Sequence, residues 1–124
     1  MNPPNLRPIE PISEVVFFRD YLQLVFQDET FSIYNRAALK IGDRLLHIGQ
    51  AGFCDELVSL IGQHATEVGR SEAYVLSINF ESGVQFLVSD HGLGPEAFQF
   101  NNADGQMVVE QNAPSNGPAI QSRL

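Results

Sequence analysis

Residues 74–89, YVLSINFESGVQFLVS, decide the fold, because the register of their pairing can be read from the letters alone. Apolar residues alternate on both sides of the loop Glu81-Ser82-Gly83, which is the pattern of a two-stranded hairpin. A three-residue hairpin loop commonly ends in a left-handed residue, and Gly83 takes that conformation without steric cost. The loop pairs Phe80 with Val84, Ile78 with Phe86 and Leu76 with Val88, so Tyr74 and all the other apolar residues of the alternation share one face.

A second hairpin is predicted upstream, with strands at residues 21–27 and 30–34. A two-residue loop at Asp28-Glu29 pairs Phe26 with Phe31 and Leu24 with Ile33, which keeps their apolar side chains on the core side. Before it, two interpretations stay open. Either Arg19-Asp20 is a turn and Val15 and Phe17 join the same face from a separate strand, or residues 12–26 form one long bent strand.

A third hairpin is predicted near the end of the chain, from residues 96–101 and 106–110. The four-residue loop 102–105 pairs Phe100 with Met107 and Phe98 with Val109. A five-residue loop would pair Phe100 with Gln106 and break the one-sided apolar pattern. We therefore expect the shorter loop.

One helix is expected, over residues 53–61. Its apolar residues recur at the spacing of a helix that lies on a sheet, with Asp55 and Glu56 in the first turn and Gly62 placed to end it. Residues 63–68 suit another short strand before the turn Gly69-Arg70-Ser71. Residues 36–48 fit either a helical turn or a strand. The apolar stripe consists of Phe53, Leu57, Leu60 and Ile61.

These elements predict an α+β fold in which antiparallel β meanders form a small rolled sheet or sandwich, with the main helix plugging one end. Residues 12–110 are expected to be a single domain, since 124 residues suffice for one core. Residues 1–11 contain four prolines and read as an extended arm. Residues 111–124 are rich in Asn, Pro, Ser and Gly and read as a disordered tail.

Charge and cysteine content exclude several classes of protein. The net charge is −8, and residues 46–124 carry nine acidic residues against two arginines. Such a surface disfavours nucleic acid, whose binding relies on Lys and Arg, and it can steer a basic partner. The single cysteine excludes an internal disulfide and a cysteine-rich zinc site. No secretory signal and no run of 18 apolar residues is visible, so we expect a cytoplasmic protein without a membrane span.

Two places in the sequence could carry a chemical role, the loop 89–96 and Cys54, but a structural role is the better interpretation of each. The loop 89–96 collects Asp90, His91 and Glu96, but the spacing matches no metal or catalytic motif, and neighbouring Asp90 and His91 should point apart. Cys54 stands at a helix start, where a thiolate is favoured, and His47 or His64 could activate it. A half-buried structural cysteine is the better interpretation. We expect no catalytic residue, metal or cofactor.

The outward face of the first meander is the strongest candidate for a contact surface. Tyr21, Gln23, Val25, Ser32 and Tyr34 line it without a Lys or Glu, and interface centres are depleted in charge and enriched in tyrosine. Partial cover by the helix or the proline-rich arm explains the same composition. The predicted partner-binding residues are Tyr21, Gln23, Tyr34, Asp55, Glu56, Asp90 and Glu96.

Four segments carry a resemblance to other sequences: 21–26 (YLQLVF), 33–35 (IYN), 60–62 (LIG) and 76–83 (LSINFESG). They resemble small uncharacterised bacterial proteins, some of them similar to immunity proteins of toxin systems. The resemblance implies a non-enzymatic cytoplasmic protein and carries over no catalytic residue.

The leading hypothesis is therefore a non-enzymatic protein-binding module, in its sharpest form an immunity-like inhibitor of a basic partner. The alternative is a small-ligand-binding or enzymatic domain with an enclosed pocket between sheet and helix, lined by Cys54, His47 and His64. A homodimer formed through the tyrosine face is compatible with both hypotheses.

Overall fold

The computed structural model describes residues 6–112. Within this range the chain forms ten strands and one short helix. Their bounds are β1 Glu14–Phe17, β2 Leu22–Phe26, β3 Glu29–Ile33, β4 Ala37–Ile41, β5 Arg44–His47, α1 Phe53–Val58, β6 Ala65–Gly69, β7 Tyr74–Phe80, β8 Gln85–Ser89, β9 Glu96–Asn101 and β10 Met107–Gln111.

The strands form two five-stranded sheets, and every pairing in them is antiparallel. The first sheet has the order β1-β2-β3-β9-β10, and the second has the order β5-β4-β8-β7-β6. The predicted fold class, mostly antiparallel β with one main helix, is confirmed at this level. Helix α1 is too short and too polar to cross a membrane, and residues 6–112 contain no helix longer than α1.

Both sheets contribute to one hydrophobic core. Phe26 of the first sheet stacks on Phe80 of the second, with ring centroids 6.4 Å apart. Helix α1 adds Phe53 and Leu57, which are fully buried. The chain before β1 is hydrogen-bonded to the segment that follows the helix. The Ile12 N–H donates to Gln63 O, and Ile12 O accepts the N–H of Gly62.

The hairpin of residues 74–89 has the predicted register. Leu76 lies opposite Val88 and Ile78 opposite Phe86, and the Gly83 N–H donates to Phe80 O with Gly83 at a φ of 92°. Tyr74 is the exception. A β-bulge lies between Tyr74 and Leu76, so Tyr74 pairs with Ser89 and moves to the outer face of the sheet.

The first hairpin is shifted by two residues from the prediction. Phe26 pairs with Glu29 and Leu24 with Phe31, around the loop Gln27-Asp28. Gln27 takes the left-handed conformation, with a φ of 62°, and donates its N–H to Ser13 Oγ. A shift of two residues preserves the faces, which is why the five apolar residues predicted for the core are all buried. They are Leu22, Leu24, Phe26, Phe31 and Ile33.

Upstream of the first hairpin, the chain turns at Arg19-Asp20 and does not form one long bent strand. The chain turns between β1 and β2, where Phe18 donates its N–H to Tyr21 O over 2.8 Å. Val15 packs against the core as expected. Phe17 lies at the strand end, paired with Leu22, and is 44% exposed.

The register predicted for the third hairpin is wrong by one residue. Phe100 pairs with Val108, so Val108 faces the core and Met107 points outward with 59% of its surface exposed. The loop is held by Asn102, whose side-chain oxygen accepts the N–H groups of Asp104 and Gln106. This Asx-type turn adds one residue to the predicted loop.

Three other predictions are refined. Helix α1 ends at Val58 and continues as tight turns to Gly62, which leaves Ile61 45% exposed instead of buried. Residues 36–48 form the hairpin β4–β5, which settles the choice between helix and strand. The segment predicted to be a tail begins inside the fold, since Gln111 ends β10 and Asn112 is hydrogen-bonded. Residues 1–5 and 113–124 lie outside the described range.

Candidate functional site

An aromatic cluster stands at one end of the first sheet, where the β1–β2 turn meets the end of β3. Phe18 stacks on Tyr21 with ring centroids 4.3 Å apart, and Tyr21 contacts Tyr34 at 5.4 Å. Phe17, Phe18 and Tyr34 keep 44%, 44% and 36% of their surface exposed. Neighbouring exposed aromatic rings of this kind are typical of interaction sites.

The cluster borders a cleft of about 190 Å³, which we call the aromatic cleft. Its base includes Leu22, Ile33 and Ile48, and its rim carries Arg19, Asp20 and Arg36. The Arg36 guanidinium donates to Ile48 O over 3.0 Å, which holds the side chain beside the cleft. Tyrosine and arginine are, with tryptophan, the residue types most enriched among the residues that dominate binding energy at interfaces.

The outer face of the first sheet continues from the cleft and is nearly free of charge. Gln23 donates from its amide to Ser32 Oγ over 3.0 Å, and Ser32 pairs with Gln99 on the next strand. The paired positions of the strands place ten residues outward on this face, and only Glu14, on the edge strand, is charged. They are Glu14, Val16, Gln23, Val25, Thr30, Ser32, Gln99, Asn101, Met107 and Val109.

The acidic residues predicted to bind a partner lie on other elements. Asp55 and Glu56 are on α1, and Glu56 pairs with Arg44 at 3.7 Å. Asp90 lies in the β8–β9 loop and Glu96 begins β9. None of the four lines the aromatic cleft, whereas Tyr21 and Tyr34 do. Gln23 adjoins the cleft through its strand.

The candidate chemical groups do not converge. Cys54 is exposed, so the prediction of a half-buried cysteine is wrong, since only Phe53 and Leu57 of α1 point inward. His64 contacts the Glu81 carboxylate at 3.5 Å, and the His47 N–H donates to Gln50. Phe53, Leu57 and Leu60 fill the space beneath the helix, where the alternative hypothesis placed a pocket.

The loop 89–96 also differs from expectation. The Asp90 carboxylate and the His91 imidazole do not point apart but approach to 3.2 Å, both on the surface. Among residues 6–112, no group of three or more His, Cys, Asp and Glu side chains could hold a metal ion.

Sequence reasoning missed the rim of the cleft. The turn alternative places Phe17 on the core face, and the sequence pattern does not indicate that Arg19, Arg36 and Ile48 line a cleft. The turn at Arg19-Asp20 was the available signal, because a tight turn there brings Phe18 and Tyr21 onto one side, and only the pairing of β3 with β2 adds Tyr34. Ile48 and Arg36 join through long-range contacts that no local pattern encodes.

Comparisons of the chain with protein-family models, with curated proteins and with solved structures gave no match.

Proposed function

We propose that this protein is a non-enzymatic protein-binding module whose contact surface is the aromatic cleft together with the adjoining outer face of the first sheet. The observation that carries the proposal is the exposed cluster of Phe17, Phe18 and Tyr34 beside Arg19 and Arg36. A sheet face in contact only with water would more often carry Lys and Glu than Gln, Ser and Val.

In this proposal the two sheets are the layers of a small sandwich with α1 at one end. Support comes from the single core to which both sheets contribute. In such an arrangement each outer face is rigid and remains available for a partner. A rigid aromatic surface loses little side-chain entropy on binding.

The partner in this proposal carries a net positive charge. The chain's net charge of −8 attracts such a partner over distance, while the nearly uncharged face forms the direct contact. Asp55, Glu56, Asp90 and Glu96 then act as parts of the long-range field, since they lie away from the cleft. Inhibition of a toxin, as by an immunity protein, is the sharpest form of this role.

The test compares capture of partners by the wild-type chain, by a cleft variant and by a control variant. The cleft variant is Phe18→Ser with Tyr34→Ala, and the control is Leu93→Ser, which removes a fully exposed apolar side chain elsewhere. We expect a basic protein to be retained by wild type and control. With that partner purified, the cleft variant should bind at least about tenfold more weakly.

Salt gives a second measurement. The association rate should fall as salt rises, since steering by net charge is screened beyond about 8 Å at physiological ionic strength. Equal binding by the cleft variant, or a captured partner of acidic character, would refute the proposal.

A further inference from the structure

The outer face of the second sheet carries a separate surface, created by the bulge before Leu76. The bulge directs Tyr74 outward, where it stands between two adjoining grooves of about 430 and 380 Å³. Both grooves are lined by Tyr74 and Leu87, so they adjoin, and we call the two together the trough. Bulges of this kind commonly redirect a side chain at a functional site.

The base of the trough is apolar, and small side chains beside Leu87 keep the trough open. Leu87 is 7% exposed and lies between Ala38 on β4 and Ser77 on β7. Because Ala38 and Ser77 are small, the row they form with Leu87 leaves room above it. His47, opposite Ala38 on the edge strand β5, forms part of the wall.

Basic residues stand at both ends of the trough. Arg36, which precedes β4 and whose guanidinium also donates to Ile48 O, lines one groove, and Lys40 lines the other, with Ala38 between them. Four residues along a strand separate them by about 13 Å. Within residues 6–112, Lys40 takes part in no ion pair. The acidic residues of the trough are Asp43 and Asp90, and Asp90 is already paired with His91.

This arrangement contrasts with the rest of the chain, which has 15 acidic and 7 basic residues. Arg36, Lys40 and Arg44 line the trough, so three of the seven bases are gathered there, of which Arg44 also pairs with Glu56 at 3.7 Å. Charge complementarity therefore favours an anionic occupant at this face, although the net charge of the molecule is strongly negative.

We propose that the trough binds an extended acidic segment of another protein, with two acidic residues four positions apart and an apolar residue midway. In an extended peptide, residues i and i+4 point to the same side and are about 13 Å apart, which matches the spacing of Arg36 and Lys40. The intervening apolar side chain lies on Ala38 and Leu87, against the ring of Tyr74. The trough and the aromatic cleft share only Arg36, so this inference does not depend on the proposed function.

The experiment uses a fluorescein-labelled peptide with glutamates at its third and seventh positions, leucine at its fifth, and serine or threonine elsewhere. Binding to the full chain is measured by fluorescence anisotropy. Lys40→Glu should weaken binding at least about tenfold. The matched control is Arg70→Glu, an equal charge reversal at an exposed arginine that lines neither groove, and it should stay within about twofold.

Four results would overturn the inference. They are no measurable binding, equal binding of a peptide with glutamines in place of both glutamates, equal losses for Lys40→Glu and Arg70→Glu, and competition by free suberate as effective as by the unlabelled peptide. The last result would assign the trough to a small dianion in place of a peptide. The cleft variant Phe18→Ser with Tyr34→Ala should bind the peptide normally, which separates this test from that of the proposed function.

Discussion

At the residue scale, a pair of hydrogen-bonded asparagine side chains, of which Asn35 is buried, holds the end of the fold that carries the aromatic cleft. Asn35 is 6% exposed and donates to Ser89 O over 2.9 Å and to Asn112 Oδ1 over 2.7 Å. Asn112 donates back to Asn35 Oδ1 over 2.9 Å and to Gly94 O over 2.8 Å. This pair joins two loops and the end of β10, and no local sequence pattern indicates it, because the two asparagines are 77 residues apart.

Gly92 is required by this pair. A Cβ on residue 92 would overlap the side-chain oxygen of Asn35, which its hydrogen bonds hold in place. Asn35→Ala should lower the free energy of unfolding by about 1–3 kcal/mol, because it removes the hydrogen bonds that a buried amide makes to Ser89 O and to Asn112. Gly92→Ala should cost a similar amount by displacing Asn35. Urea unfolding followed by circular dichroism measures both.

The double variant separates this explanation from two unrelated losses. Since Gly92→Ala acts through Asn35, the combined loss should be clearly smaller than the sum of the two single losses. Gly94→Ala is the matched control, because a Cβ there meets nothing within 4 Å, and it should change stability by no more than about 0.5 kcal/mol. Additive losses would show that Gly92 matters for another reason.

At the scale of elements, the hairpins could be predicted where the loop itself fixes the register. Gly83 identifies the loop of the β7–β8 hairpin, and the observed pairs of that hairpin follow from it. The loop of the first hairpin depends on a left-handed Gln27, and that of the third on the side chain of Asn102. Neither requirement is apparent from an apolar alternation, so both registers shifted.

Bulges limit the prediction in a different way. A bulge inserts one residue into a strand and reverses the facing of everything beyond it, and nothing in YVLSINF marks where this happens. Tyr74 was therefore assigned to the core, whereas it lines the trough. The helix was overestimated for a similar reason, because Ile61 continues the apolar spacing after the helical hydrogen bonds have ended.

The start of β6 is joined to the β7–β8 turn by Glu81, which leads to a prediction on pH. The backbone N–H of His64 donates to Glu81 Oε1 over 2.8 Å. This hydrogen bond lowers the pKa of the Glu81 carboxyl below its ordinary value of 4.5. A group with a lowered folded-state pKa stabilises the fold fully above its unfolded pKa, and the contribution is lost as pH falls through the folded pKa. Wild type should therefore be more stable than Glu81→Gln at neutral pH.

The difference between the two proteins should begin to shrink as pH falls to about 4.5 and should disappear below the folded-state pKa. Urea midpoints measured between neutral pH and pH 3 provide the comparison. Glu72→Gln, which removes an exposed carboxyl in the β6–β7 loop, is the control and should show no such dependence. A constant difference between wild type and Glu81→Gln across this range would contradict the assignment.

At the scale of the whole molecule, the arrangement of the hairpins could not be predicted. The sequence suggests two meanders separated by a helix, but β9 and β10 return to pair with β3, and β4 and β5 join β8 of the other sheet. These pairings connect distant segments, and several hairpins with one apolar face can be combined in more than one order. The candidate site shows the same limit, because Tyr21 and Tyr34 were found from alternation while Arg19 and Arg36 were brought to them by the assembly.

Phe26 tests whether the two sheets unfold as one unit. Its ring is fully buried in the first sheet, where it meets Phe31 edge-on, and it also stacks on Phe80 of the second sheet. Phe26→Leu should lower the free energy of unfolding by about 1–3 kcal/mol while leaving the protein folded. Because both sheets share one core, the free energy of opening measured by native-state hydrogen exchange should fall by the same amount for amide protons of β3 and of β7.

The control for this experiment is Met107→Ala, which truncates an exposed side chain of the same sheet and should leave exchange in both sheets within about 0.5 kcal/mol of wild type. If Phe26→Leu weakened protection in β3 but left β7 unchanged, the sheets would be separate cooperative units. In that case the aromatic cleft and the trough could open independently, and a partner at one surface would not stabilise the other. Equal losses in the two strands would instead mean that binding at either surface stabilises the whole fold, because a ligand that binds only the folded state raises its free energy of unfolding.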